Sequence, residues 1–295
     1  VEFGDESALL TDSERRVKMK KMKKWLAVMA VGVFTMALFA GCGSQSEGDS
    51  SDAQTTDDAT TESQDSGSDT LVMATNATFP PYESIEGNEF VGIDIEIAEA
   101  LAQELGMELE IKDVEFDSII AGVQSGKYDM GMAGMTVTEK RLQNVDFTDS
   151  YATGVQVVIV REDSDIQSVD DITSDNLIGV QQGTTGHIYA SDTPENGGYG
   201  EDAVVAYNKG ADAVQALIAG KVDCVIIDNE PAKAFVAANE GLKILDTEFA
   251  NEDYAICVSK DNSELLEKLN DALAKLKADG TIDEIIEKYI PSDGE

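Results

Sequence analysis

Four polar clusters, each directly after an apolar run, hold the residues of this chain that could do chemistry. Asn76 follows residues 71–75, and residues 134–141 (Gly-Met-Thr-Val-Thr-Glu-Lys-Arg) follow 128–133. Gln182 to Thr185 follow 177–181, and Asp228 follows 222–227. The types suit ionic recognition: a guanidinium forks onto a carboxylate or phosphate, and a carboxylate receives an ammonium. Lys140 and Arg141 fall in the first turn of a short helix starting at Thr138, where the helix dipole disfavours cations. An anion lodged among Arg141, the free amides and the threonine hydroxyls would reverse that penalty; a solvated surface arginine is the plainer reading. Thr136 and Glu139 have capping-box spacing. Asp228 also stands where it could cap a helix whose first turn holds Pro231, and Thr184 could simply shape its turn.

The elements that must position these residues alternate along the chain. Apolar runs at 71–75, 107–114, 128–133, 155–160, 177–181, 203–207 and 222–227 read as strands. Helical periodicity covers 94–105, 116–124, 138–145, 211–219, 231–239 and 263–278, with Ile97, Ala98, Leu101, Ala102 and Leu105 on one face of the first. This alternation predicts α/β architecture with mainly parallel, buried sheets. All four polar clusters then sit just past strand carboxyl ends, where open α/β sheets bind ligands. Residues 183–185 also lead into a helix whose free amides favour an anion. Four such placements together point to a cleft.

Composition bounds what the cleft can serve. With 21 basic and 58 acidic residues, the 295-residue chain carries a formal charge of −37, which argues against nucleic acid or anionic lipid headgroups as partners of the folded part. Residues 18–24 are lysine-rich, and the apolar run 25–40 is short for a membrane span of about 20 residues. With the small residues that close it, this reads as an export signal over 1–41. Residues 1–17 look superfluous, with translation expected from Met19 or Met22. Leu38-Phe39-Ala40-Gly41-Cys42 resembles a lipobox, which implies a lipid on Cys42; Phe39 departs from the usual aliphatic residue there. Residues 43–69 lack aromatic and basic residues and read as a disordered tether spanning roughly 30 Å. Cys224 and Cys257 lie in apolar runs and read as buried free thiols. Met130, Met132 and Met135 read as strand core, and no cysteine–histidine cluster suits a metal.

In these segments the chain resembles the extracytoplasmic solute-binding proteins of polar amino-acid ABC transporters, family 3. The likeness runs in family order through 74–83 (Ala-Thr-Asn-Ala-Thr-Phe-Pro-Pro-Tyr-Glu), 91–95, 134–141, 145–148, 182–185 and 227–228. It implies a two-lobed, type II periplasmic-binding-protein fold with two hinge crossings, near 151–155 and 250–254. Lobe 1 would comprise 70–153 and 255–295, and lobe 2 would comprise 154–254. Carried over by position, Arg141 would fork onto the α-carboxylate of an amino acid, helped by the amides of Thr136 and Thr185. Asp228 would receive the α-ammonium, with the Gly134 carbonyl and the Thr136 hydroxyl. Phe79 and Phe116 would flank the ligand stem, although either could be an ordinary core aromatic. Asn76, Gln181 and Thr184 would complete the wall. The physics agrees: a zwitterion leaving water needs both charges paired.

The resemblance also implies a monomer without cofactor, anchored to the extracytoplasmic face of a bacterial membrane and handing its ligand to an ABC permease and ATPase. Asn76 and Gln181, two neutral amides, lean toward a neutral polar ligand such as glutamine or cystine, while Glu83 and Thr78 keep arginine and lysine open. The rivals are a cyclohexadienyl dehydratase-like enzyme and an amino-acid-sensing receptor. Little favours catalysis: His187 is the one histidine and reads as a surface turn residue. Residues 122–127 fall one short of a phosphate loop and lack its Ser or Thr.

Overall fold

The computed structural model describes residues 70–246 and 248–291. The expected export segment, Cys42 and the acidic tether lie outside the described residues, as do 292–295.

The chain begins with strand β1 (Thr70–Thr75), then a meander of β2 (Thr78–Phe79), β3 (Glu83–Glu86) and β4 (Glu89–Val91), then helix α1 (Ile93–Leu105). Strand β5 (Glu108–Asp113), helix α2 (Ile119–Gln124), strand β6 (Met130–Gly131), the one-turn helix α3 (Glu139–Leu142) and strand β7 (Val145–Phe147) follow. The long strand β8 (Ala152–Arg161) opens the second half, with β9 (Ile178–Gln181), α4 (Thr185–Ser191), β10 (Val204–Tyr207), α5 (Gly210–Ile218), β11 (Cys224–Asp228), α6 (Asn229–Ala238), β12 (Leu242–Ile244) and β13 (Ala250–Tyr254). Strand β14 (Cys257–Ser259) and helices α7 (Ser263–Ala278) and α8 (Thr281–Tyr289) close the chain.

Two sheets organise these elements, in the orders β5-β1-β6-β14-β7 and β10-β9-β11-β8-β12, with β13 also on β8. They form the two lobes of an α/β fold. The sheets are mixed rather than mainly parallel. β1 is parallel to β5 and β6, and β9 to β10 and β11, but β14 and β8 run against their neighbours. The reversal is physical: β8 leaves the first lobe and β13 returns to it, so both cannot share the direction of the strands that end at the cleft. The crossing segments pair with each other, Ala152 opposite Tyr254, and Tyr151 N donates to Tyr254 O at 2.9 Å.

Period-two burial fills both faces of each sheet. On β1, Leu71 and Met73 pack with α1, α7 and α8, whereas Ala74 joins Ile119 and Val123 of α2 on the other side. On β11, Val225 and Ile227 face α5, and Cys224 and Ile226 the opposite cluster. Met130, Met132 and Met135 are fully buried, as the alternation expects, and both cysteines are buried free thiols. No helix among the described residues is long and apolar enough to cross a membrane.

One junction positions later chemistry. The first amides of α1 donate to the preceding loop, Ile93 N to Pro81 O (3.0 Å) and Asp94 N to Tyr82 O (2.9 Å). This draws Glu83 beside Asp94. Gly92 makes it possible, since its φ is +133° and a Cβ there would lie 2.2 Å from the Tyr82 carbonyl oxygen. Gly92→Ala should therefore cost at least the roughly 1–3 kcal/mol of a strained residue, read as a lower urea midpoint; an unchanged midpoint would contradict this account of the junction.

Candidate functional site

Parallel pairing brings the carboxyl ends of β1 and β6 to one edge of the first sheet and those of β9 and β11 to one edge of the second. The two edges face each other. All ten residues singled out for the cleft line one cavity there: Asn76, Phe79, Phe116, Gly134, Thr136 and Arg141 from the first lobe, Gln181, Thr184, Thr185 and Asp228 from the second. Glu83 and Ala133 join them.

Arg141 is 5% exposed. Its helix is capped by Thr138, whose hydroxyl accepts from Arg141 N, not by the expected pair Thr136 and Glu139. Thr136 is withdrawn from capping because it bridges to Tyr254 and its hydroxyl donates to Glu252 at 2.8 Å. Val137 N to Asp253 O and Ala255 N to Met135 O stitch the same loop to the crossing strand. The guanidinium donates to Thr136 O (2.6 Å) and, across the cleft, to Gly183 O (3.1 Å), and it lies over the Phe116 ring. Among the described residues it makes no ion pair with a carboxylate. Burial pulls its pKa down, opposed by Glu252.

Asp228 sits at the N-cap position of α6 but makes no side-chain cap bond. Its carboxyl instead accepts from Gln156 Nε2 (2.6 Å) and from the Tyr254 hydroxyl. Gln156 also donates to Glu252 (3.1 Å). Gly154 permits this packing, because a Cβ there would lie 2.1 Å from the Tyr254 hydroxyl. Burial pushes the Asp228 carboxyl well above the usual range and Glu252 adds to the push, while Gln156 and Arg141 oppose it. The site can thus take an anion at Arg141 and a cation at Asp228.

The neutral amides are spent within the protein. Gln181 Nε2 donates across the cleft to Asn76 Oδ1 (2.8 Å) and to Asn208 O (3.2 Å), and Asn76 Nδ2 donates to Val114 O (2.8 Å). Thr184 caps α4 by accepting from His187 N and donates to Gln181 O. His187 is not a surface turn residue: it lies half-buried in α4, and its Nδ1 accepts from Gly183 N at 3.0 Å. Phe79 is buried and stacks with Tyr82, while Gly134 N donates to Asp94 Oδ2 at 2.8 Å.

Sequence reasoning passed over Asp94, Gln156, Glu252 and Tyr254, and used Glu83 only as a hint about specificity. Two signals were there: Gln156 interrupts an apolar strand and Glu252 shares a strand face with Tyr254, whereas Asp94 reads as an ordinary first-turn acid. Asp94 is in fact fully buried, and Glu83 is 1% exposed. No cluster able to hold a metal occurs among the described residues.

The profile of the bacterial extracellular solute-binding proteins, family 3, matches residues 71–292, and the chain belongs to that family. The arginine-binding extracellular protein ArtP of Bacillus subtilis is 34% identical over 91% of this chain and 98% of its own. An ancestral arginine-binding protein solved with arginine is 42% identical, covers 75% of this chain and 97% of its own, and superimposes with a TM-score of 0.69. Another such structure, bound to glutamine, is 41% identical, with coverages of 76% and 98% and the same TM-score. The chain is therefore an extracytoplasmic solute-binding component of a transport system, with the two-lobed type II fold, and not an enzyme.

The buried carboxyls set a pH dependence. Asp94 is pushed by burial up to about 6, and Glu83 and Asp228 are raised well above the ordinary range, also chiefly by burial. The folded chain then binds more protons than the unfolded one, whose carboxyls titrate near about 4. Their stabilisation is full below that value and is lost as pH rises through the folded values. Without ligand, the urea midpoint should fall between pH 5 and pH 8, and Asp228→Asn should shrink the fall. A variant with the same pH slope as the parent would contradict it.

Proposed function

We propose that this protein captures an amino acid between its lobes, gripping the α-carboxylate with Arg141 and the α-ammonium with Asp228, and delivers it to an ABC permease and ATPase. The observation that carries the reading is Arg141: a buried guanidinium held by two carbonyls and a ring, in the same cavity as a buried carboxyl from the other lobe. Desolvating two opposite charges is tolerable when a zwitterion pairs both. Thr136, Thr185 and Gly134 assist the charged ends, Phe79 and Phe116 flank the stem, and Asn76, Gln181 and Thr184 complete the wall. Lobe 1 is taken as 70–153 with 255–295 and lobe 2 as 154–254, hinging at 151–155 and 250–254. Because the ligand would touch both lobes, it would favour closure by differential affinity.

A cationic amino acid is the favoured cargo, in place of the neutral polar ligand to which Asn76 and Gln181 lean. Those amides are engaged with each other and with backbone carbonyls, whereas Glu83 lines the cavity with an unpartnered buried oxygen. The names of arginine-binding relatives support the same choice. We further read residues 1–41 as an export signal and 43–69 as a tether from a lipid on Cys42, leashing a monomer to the outer face of a bacterial membrane.

Arg141→Ala should weaken L-arginine binding in calorimetric titration by about 3–5 kcal/mol, roughly two to four decades in Kd, and Asp228→Ala should behave similarly. Near-parental affinity in either variant means the grip is misassigned. Cys42→Ala should move the protein from the membrane fraction to the soluble one; retention on the membrane would refute the lipid anchor.

A further inference from the structure

Three consecutive residues of the loop between β9 and α4 reach across the cleft. Gln181 Nε2 donates to Asn76 Oδ1 (2.8 Å), Gln182 Nε2 donates to Asp117 Oδ2 (2.6 Å), and Gly183 O accepts from Arg141 Nη2 (3.1 Å). The approach is close, since Gly183 has a φ of +78° and a Cβ there would lie 2.9 Å from the Asp117 Cβ. His187, in the first turn of α4, holds this loop from within its own lobe. Its Nδ1 accepts from Gly183 N at 3.0 Å. An imidazole nitrogen accepts only when it carries no proton, so the ring that fits is the neutral one with its hydrogen on Nε2.

We propose that His187 is a positioning residue for the ligand grip: its neutral ring holds the Gly183 loop in the closed cleft, and a proton on Nδ1 frees the loop and releases the amino acid. The inference rests on the amino-acid reading of the cleft and adds a way of unloading it in acid. The proton comes from solvent and stays on the ring. Nδ1 then becomes a donor facing the Gly183 N–H, also a donor, and the hydrogen bond between them is lost. Arg141 is held by two backbone acceptors, Thr136 O and Gly183 O, so a shift of this loop takes one of them away.

The surroundings of the ring agree. The charged groups that face the cleft mouth with it are Asp117, Lys140 and Arg141 from the first lobe and Asp192 and Glu201 from the second. Burial pulls the imidazole pKa down, Lys140 adds to the fall and Glu201 opposes it. Lys140 stands on α3, in the other lobe, so its effect and part of the burial belong to the closed cleft alone. Opening takes both away, and the ring then accepts a proton more readily. By linkage, closure expels that proton and the proton in turn opposes closure. The sign is that of a depressed histidine: binding is full above the ordinary imidazole value and is lost as pH falls below it.

His187 is the only histidine of the chain, so proton NMR of the whole protein, purified without a histidine tag, follows its titration directly. Saturating L-arginine should lower the midpoint of that titration, because the ligand favours the closed cleft. In calorimetric titration, affinity for L-arginine should fall below about pH 6.5, by up to tenfold per pH unit, the slope of one linked proton. His187→Asn keeps an acceptor near the place of Nδ1 but takes no proton, and should flatten that fall. His187→Ala removes the acceptor and should bind more weakly than His187→Asn at every pH. A merely structural role would weaken both variants and leave the pH profile as it is. An unmoved or raised midpoint on adding L-arginine, or a fall as steep in His187→Asn as in the parent, would overturn the proposal and leave the amino-acid cleft standing. If His187→Asn does not fold, the parental midpoint decides. Failure of the parent to bind L-arginine or any other amino acid at pH 8 would instead sink the function on which the proposal rests.

Discussion

Charge balance in a desolvated cleft is the constraint on which the rest of the structure depends. Among the described residues, Arg141 is the one buried cation, and it shares its neighbourhood with four buried carboxyls: Glu83, Asp94, Asp228 and Glu252. Uncompensated buried charge costs far more than a fold of marginal stability can absorb. Burial raises the carboxyls of Glu83, Asp94 and Asp228 above the ordinary range, which lowers the cost of keeping them out of water. The protein also uses fixed donors: Gly134 N and Tyr151 for Asp94, Gln156 and Tyr254 for Asp228, and Thr136 and Gln156 for Glu252. A ligand that is itself a pair of charges enters an environment already prepared for both.

That preparation explains why the crossing strand matters more than its length suggests. β13 supplies Glu252 and Tyr254, its backbone stitches the loop at 134–138 to the second lobe, and it pairs with β8 along the other crossing. A change in angle between the lobes therefore moves the donors of the Asp228 carboxyl and the partner of Thr136 together. Direct contacts already join the two sides of the cleft: Arg141 with Gly183, Asn76 with Gln181 and Gln182 with Asp117.

Much of this was legible in the sequence because strand ends are marked by composition. The polar residues after four apolar runs converge on one cavity, since parallel pairing fixes which edge they share. What was not legible follows from the same physics. Antiparallel β14 is only three residues long and the returning strand β13 carries exposed polar residues on alternate positions, so apolar periodicity under-reports them. The cap of α3 was misread because Thr136 satisfies the spacing rule, but its tertiary bridge to Tyr254 takes precedence. Asp94 looks like a routine first-turn acid in one dimension. Only the fold of 81–94, turning on Gly92, buries it against Glu83. The neutral lean given by Asn76 overlooked a similar tertiary engagement, since its amide is hydrogen-bonded to Val114 and Gln181.

The central claim is that a single guanidinium grips the carboxylate end of a zwitterion. The most direct measurement compares L-arginine with agmatine, which keeps the guanidinium side chain and the amine but lacks the carboxylate. Agmatine would leave Arg141 buried without its anion, so its affinity should be lower by roughly two decades or more. Agmatine binding as tightly as L-arginine would contradict the account, because the cleft would then be reading the side chain alone.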